Sequence, residues 1–137
     1  MRALFDDYAG RINPRLELVE LELPSREQKG DIKEKEAALI LRHLPKGGTV
    51  VVCDERGKTF NSRAFAAALD EWQGKRGPDI CFVIGGADGL HQSVIDRAQV
   101  KLGLGEMTWP HLLVRVLLAE QIYRAQTILS GHPYHRD

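Results

Sequence analysis

Thr49-Val50-Val51-Val52-Cys53 is β-branched at its first four positions and shows no polar alternation. A strand with one wet face alternates apolar and polar residues, whereas an unbroken apolar run predicts a strand covered on both faces. Ile80-Cys81-Phe82-Val83-Ile84 repeats the pattern. Between the two runs, Ser62 is expected to cap a helix whose apolar positions are Phe65, Ala66, Leu69 and Trp72. Strand, helix, strand with doubly buried strands predicts an α/β fold, a parallel sheet with flanking helices.

Working outward, Leu4, Phe5 and Tyr8 have helical spacing and predict a helix from Met1 to about Arg11. Leu16 to Leu23 alternates acids with leucines, with one slip at Leu18-Val19, and is expected to be a strand. Pro24 to Gly30 is a polar loop. Asp31 is expected to cap a helix with the stripe Ile32, Leu39, Ile40 and Leu44, stopped by Pro45 and Gly47-Gly48. Leu90 to about Ala98 is expected to be a short helix and Glu106 to Trp109 the last strand. Leu112 to Leu129 is apolar almost all round, so several faces of that helix need cover. One small sheet cannot supply all of it, and a homodimer interface is the expected remainder. Pattern alone leads to an open doubly wound sheet, since threaded chains are excluded by default.

A chain of 137 residues, 43% hydrophobic, makes one domain with a single core. Lysine plus arginine equals aspartate plus glutamate at 19 each, which argues against a generic nucleic-acid coat but permits recognition of one RNA site through local patches. Cys53 and Cys81 lie inside the apolar runs and read as buried strand thiols. No CxxC pair, signal peptide or bilayer-length apolar stretch is present, so the expected compartment is the cytosol, with no membrane and no metal as partners.

Two segments carry chemistry. Gly85-Gly86-Ala87-Asp88-Gly89 follows a buried strand, at the edge where open α/β sheets gather ligands. It is neither GxGxxG nor a Walker loop, so by its residues it is either a ligand-approach loop or a tight turn without a ligand. Ser130-Gly131-His132-Pro133-Tyr134-His135-Arg136-Asp137 follows the last helix and holds two imidazoles, a phenol, a guanidinium and a carboxylate. An HxxH pair with no third ligand nearby does not predict a zinc site.

That tail resembles one family closely, together with the helix Pro110-His111-Leu112-Leu113-Val114-Arg115-Val116 through Ala119-Glu120-Gln121-Ile122-Tyr123-Arg124-Ala125 and the loop Ile84 to Leu90. The family is the SPOUT-class methyltransferases that modify N3 of a pseudouridine in the 23S ribosomal RNA of the bacterial large subunit. The resemblance covers nearly the whole chain. It implies one domain over residues 1–137, a C-terminal trefoil knot and a catalytic tail over 130–137. It implies S-adenosyl-L-methionine held by Cys53, Gly86, Gly105, Glu106, Met107, Thr108, Trp109 and Pro110, largely through backbone groups, with Cys53 standing where a leucine is expected. The substrate implied is the assembled ribosome, and the assembly a homodimer in which one subunit's tail completes the other's cofactor pocket. Relatives open with a strand before the helix that starts here near Arg2, so that first strand is expected to be missing.

The chemistry this implies needs a proton removed from N3 and charge held on the ring. His135 is the first choice of base, Arg136 suits a phosphate or a carbonyl oxygen, and Tyr134 suits stacking on a base. His132 and Pro133 fix the path of the tail. Asp88 is the rival base, and His111 and Arg115 either contact RNA or serve as caps and ion-pair partners. Two other readings stand beside the enzyme. One is a noncatalytic RNA- or ribosome-binding module, which the intact loop and tail disfavour. The other is a flavodoxin-type nucleotide binder, which the lack of a phosphate loop disfavours.

Overall fold

A computed structural model describes residues 1–86 and 88–137. The elements are α1 (Arg2–Arg11), α2 (Ile32–His43), β1 (Thr49–Lys58), α3 (Ser62–Lys75), β2 (Ile80–Ile84), α4 (Gln92–Arg97), β3 (Val100–Leu102) and α5 (His111–Ser130), with a 3-10 turn at Ser25–Glu27. β1 is the central strand of a three-stranded sheet of order β2-β1-β3, and both its neighbours run parallel to it.

The apolar run at the start of β1 divides its side chains between two cores. Val51 points into a cluster with Phe65, Leu69 and Trp72 of α3 and Leu118, Ile122 and Ala125 of α5. Val50 and Val52 point the other way, towards Ala37 of α2, Val83 of β2, Leu90, and Val94 and Ile95 of α4. Val50, Val51 and Val52 are at most 1% exposed, as an unalternating strand between two helical layers must be. α1 lies outside this sandwich, packing Phe5 and Ala9 on Val116 and Ala119 of α5. α5 is thus covered by α3 and the sheet on one side and α1 on another, which accounts for its nearly continuous apolar surface. Leu112 and Leu129 at its ends stay exposed.

Caps follow the local chemistry. Asp31 Oδ1 accepts the Glu34 amide, as its position predicts. The cap of α3 is Asn61, not Ser62: Asn61 Oδ1 accepts the Ala64 amide, while the Ser62 hydroxyl donates to Gln121 on α5. Gly131 closes α5 in the left-handed region at φ 78°, where its own amide and that of His132 return to Ile128 and Thr127 carbonyls. That turn sends the tail back along α5.

Two predicted strands fail and one was missed. Glu106 to Trp109 is an exposed loop, and the last strand is Val100–Leu102, whose three residues are too few to show a period. Leu16 to Leu23 has no strand partner among the described residues. Its leucines still pack, Leu16 and Leu18 against the α1–α5 core. Gln126 anchors its start by exchanging hydrogen bonds of 3.0 and 2.9 Å with the Asn13 main chain. A groove of about 750 Å³ lies between this segment and β2. The alternation gives the segment an apolar side to pack, but a strand also needs a neighbour to pair with. The sheet is parallel with helices on both faces.

After Cys53 the register of β1 breaks, and Leu102 lies opposite both Cys53 and Lys58. The two chains cross there at backbone contact: a Cβ on Gly57 would fall 2.6 Å from the Leu102 carbonyl carbon, and one on Gly103 would fall 2.6 Å from the Gly57 oxygen. Gly57→Ala is therefore expected to lower stability by about 1–3 kcal/mol, since backbone cannot yield as a side chain tip does. Gly47→Ala, with nothing near its added Cβ, should change stability by less than about 1 kcal/mol. Urea unfolding of both variants beside the parent measures the contrast, and equal midpoints would refute the crossing as the cause.

Candidate active site

Parallel pairing places three strand ends side by side, with Cys53 opposite Ile84 on one side and Leu102 on the other. The chain leaves these ends as the 54–58 crossing, the glycine loop and the 103–110 loop. This is the carboxyl edge of the sheet, where ligands of α/β proteins bind. Cys53 packs against the α3–α5 core, and burial pushes its thiol up to about 12, so it is a neutral, unreactive wall at physiological pH. Burial raises the Cys81 thiol as well.

The glycine loop is a tight reversal. Gly86 and Gly89 form an isolated antiparallel bridge, the Gly89 amide donates to the Gly86 carbonyl at 3.0 Å, and Gly89 sits at φ 76°. A Cβ on Gly85 would meet Gly89 backbone at 2.9 Å, so only glycine fits there. Asp88 is exposed. Ala87 lies outside the described residues.

Gly105 adopts φ 103° with open space where a Cβ would be. Glu106, Met107, Thr108, Trp109 and Pro110 are all exposed, Met107 at 72%. Thr108 donates to Glu55 at 3.3 Å, which ties this loop to the crossing beyond Cys53, and the Trp109 indole donates to the Leu104 carbonyl at 3.2 Å. Cys53, Gly86 and the 105–110 stretch thus share one edge of the sheet, as the sequence reading grouped them.

The tail forms a second cluster, seated on α5. Tyr134 packs edge-on against Tyr123 at 4.8 Å, and the Arg124 guanidinium lies 4.9 Å from its ring centre. Burial, with a hydrogen bond to Tyr8, raises the Tyr134 phenol. Arg124 is held by Glu120 at 2.7 Å and donates from Nη1 to His135 Nδ1 at 3.0 Å. His135 Nε2 meets Asp137 Oδ1 at 3.1 Å, and Arg63 at the start of α3 grips both Asp137 oxygens at 2.7 and 2.8 Å. His132 Nδ1 accepts the Tyr134 amide. Arg136 is exposed and makes no hydrogen bond or ion pair among the described residues. Arg115 pairs with Glu20 at 2.9 Å, and His111 opens α5 exposed to solvent.

Within one chain, no hydrogen bond or ion pair among the described residues joins this tail to the glycine loop or to 103–110. Sequence reasoning gave no functional role to Arg63, Tyr123 or Arg124. The one signal for Arg124 was its i,i+4 spacing from Glu120 on α5, which looks the same in any surface ion pair.

Comparison with known proteins gives a consistent answer. A family model described as a predicted SPOUT methyltransferase matches residues 1–135. The chain is 52% identical over 135 residues to a ribosomal RNA large subunit methyltransferase H of Rhodospirillum centenum, covering 98% of this chain and 89% of that protein. It is 50% identical over 135 residues to the protein of the same name from Gluconacetobacter diazotrophicus, at 98% and 88% coverage. With that of Rhodospirillum rubrum it shares 49% identity over 139 residues, at 98% and 89% coverage.

The tail geometry sets a pH dependence. The Arg63 hydrogen bonds hold the Asp137 carboxyl below its ordinary range. A group with a depressed folded value contributes docking strength fully above its free value, about 3.9, and loses it as pH falls through the folded value. Residues 132–137 should therefore be ordered at neutral pH and loosen only in acid, while Asp137→Asn loosens them at pH 7. Backbone ¹⁵N relaxation of those residues measures this, and an Asp137→Asn tail as rigid as the parent would rule the Arg63 contact out as the anchor.

Proposed function

The chain belongs to the SPOUT methyltransferase family, and from that premise we propose that it methylates N3 of a pseudouridine in 23S ribosomal RNA of the assembled ribosome. The observation that carries this reading is the match over nearly the whole chain to proteins named for large-subunit ribosomal RNA methylation. The chain is an RNA methyltransferase by that membership; the nucleotide and the assembled particle are the proposed part.

The edge of the sheet suits S-adenosylmethionine. An adenosine needs backbone donors and acceptors with apolar cover, and the Gly85–Gly89 reversal, the open Gly105 and the exposed Met107 and Trp109 offer both. Cys53 and Gly86, with Gly105 through Pro110, would hold the cofactor, and its sulfonium supplies a methyl group that is already electrophilic. The chain's own work is then to align the target nitrogen and manage one proton and the charge it leaves. Tyr134, His135 and Arg136 are assigned to that work, and Asp88 is the rival proton acceptor. Arg136, which has no partner among the described residues, is placed to take a phosphate or a ring oxygen.

That no polar contact among the described residues joins tail and sheet edge within one chain supports a homodimer in which each tail serves the other subunit's cofactor. Exposed Trp109, Leu112 and Leu129 supply apolar surface for the interface. The threaded C-terminal knot of the family belongs to the same proposal. The close crossing of residues 57 and 103 supports it as the kind of contact threading requires. No helix among the described residues is long and apolar enough to cross a membrane, and the ribosome as substrate places the proposed reaction in the cytoplasm.

The test is transfer of labelled methyl from S-adenosylmethionine to intact ribosomes lacking the modification, with the labelled nucleotide mapped. Label on a pseudouridine N3 is expected. A folded, cofactor-binding dimer that leaves the ribosome unlabelled would favour the noncatalytic binding module. His135→Ala should lower turnover by about a hundredfold or more while cofactor binding changes little. A fully active His135→Ala would show that the reaction does not need this imidazole and would point to Asp88.

A further inference from the structure

We infer that Arg124 is a positioning residue that locks His135 as the Nε2–H tautomer, so that the docked ring serves as a hydrogen-bond donor and not as a base. The inference rests on the methyltransferase reading for its chemistry but on geometry alone for the tautomer.

Arg124 Nη1 lies 3.0 Å from His135 Nδ1. A guanidinium carries five N–H donors and no acceptor, so the direction of this bond is forced: arginine donates and Nδ1 must offer its lone pair. In the neutral ring the proton then sits on Nε2, where Asp137 Oδ1 at 3.1 Å accepts it. Each contact demands the same tautomer. Protonating Nδ1 would set an N–H against a guanidinium N–H and break the first bond.

Arg124 is itself held by two neighbours. Glu120 takes its Nε at 2.7 Å and its Nη2 at 3.4 Å in a partly buried ion pair, at 24% and 18% exposure, and the Tyr134 ring lies beneath its guanidinium. The imidazole is only 12% exposed. Fixing a ring tautomer through the nitrogen that does not meet substrate is the device by which second ligands orient catalytic histidines. Here the fixing group is a cation, which leaves Nδ1 with no lone pair to spare for a substrate proton.

The consequence for the reaction is specific. A pseudouridine that displaces Asp137 from Nε2 meets an N–H, suited to a ring carbonyl oxygen beside N3. The N3 proton would pass to solvent water, and the charge this builds on the ring would be held at that oxygen by the Nε2–H until the N3–methyl bond forms and the methyl–sulfur bond breaks, leaving a neutral thioether. The imidazole ends with the proton it started with.

Long-range ¹H–¹⁵N correlation on the full protein reads the tautomer directly. The parent should show an unprotonated Nδ1 and a protonated Nε2 on His135. In Arg124→Ala the two nitrogens should move towards a mixture of tautomers and the single-turnover methyl-transfer rate should fall about a hundredfold, with cofactor affinity unchanged. Arg124→Lys keeps a donor near Nδ1 and should restore part of both signals. A parent spectrum with Nδ1 protonated, or an Arg124→Ala protein with the parent's spectrum and rate, overturns the inference. The parent spectrum decides the tautomer even if the alanine variant does not fold. A parent that shows the locked tautomer but leaves ribosomes unlabelled retains the lock and removes the methyl-transfer reading, so the two failures are separable.

Discussion

The parallel pairing of Thr49–Cys53 with a strand on each side is the constraint on which the other features depend. Because β1 is central, its valines must be apolar on both faces, and helices must cover both. Because both neighbours run parallel to it, their carboxyl ends arrive together, and every loop that leaves the sheet on that side leaves from one place. An antiparallel neighbour would have put one of the three loops at the opposite end. The shared edge is thus a product of strand direction, and the modest residue types found there need only supply backbone and cover.

Much of this was legible from the residues. Unalternating apolar runs gave β2 and the first half of β1, which runs on to Lys58; helical spacing with stop signals gave α1, α2 and α5 within a residue or two, and the start and apolar stripe of α3. The failures share a cause, which is that pairing is not a property of one segment. Leu16–Leu23 alternates well and packs its leucines, yet among the described residues it pairs with no strand. Val100–Leu102, three residues with a lysine in the middle, pairs in full. The Asn61 cap was missed by one position because Ser62 is an equally good cap by type. Its hydroxyl is taken instead by Gln121, 59 residues on, which no local pattern could show.

The site divides the same way. The glycine loop, the 105–110 stretch and the tail were named from their residues and from a family resemblance, and the fold puts the first two on one edge. What the sequence hid is how the tail is held. Arg63 lies 74 residues before Asp137, and Arg124 reaches His135 only because Gly131 turns the chain back along α5. Net neutrality was equally opaque. Asp54, Glu120, Asp137 and Glu20 pair with Arg56, Arg124, Arg63 and Arg115, so charges of both signs are taken up locally in equal number. A formal balance of zero therefore says little about the field an RNA meets.

The division of the proposed site between two scaffolds bears on control of the activity. The residues proposed to hold cofactor and those proposed to handle charge are built on different scaffolds, the sheet edge and α5, and no polar contact among the described residues bridges them. Each half has its own contacts within the chain: strand pairing for the edge, and Arg63, Arg124 and an edge-on tyrosine pair for the tail. On the proposed homodimer, the site becomes complete only when a second copy brings its tail to the first copy's edge. A tail prefolded by its own contacts would pay little conformational entropy in that assembly. On the proposed reading, rigidity within each half is what makes a composite site workable, because two preformed surfaces need only dock.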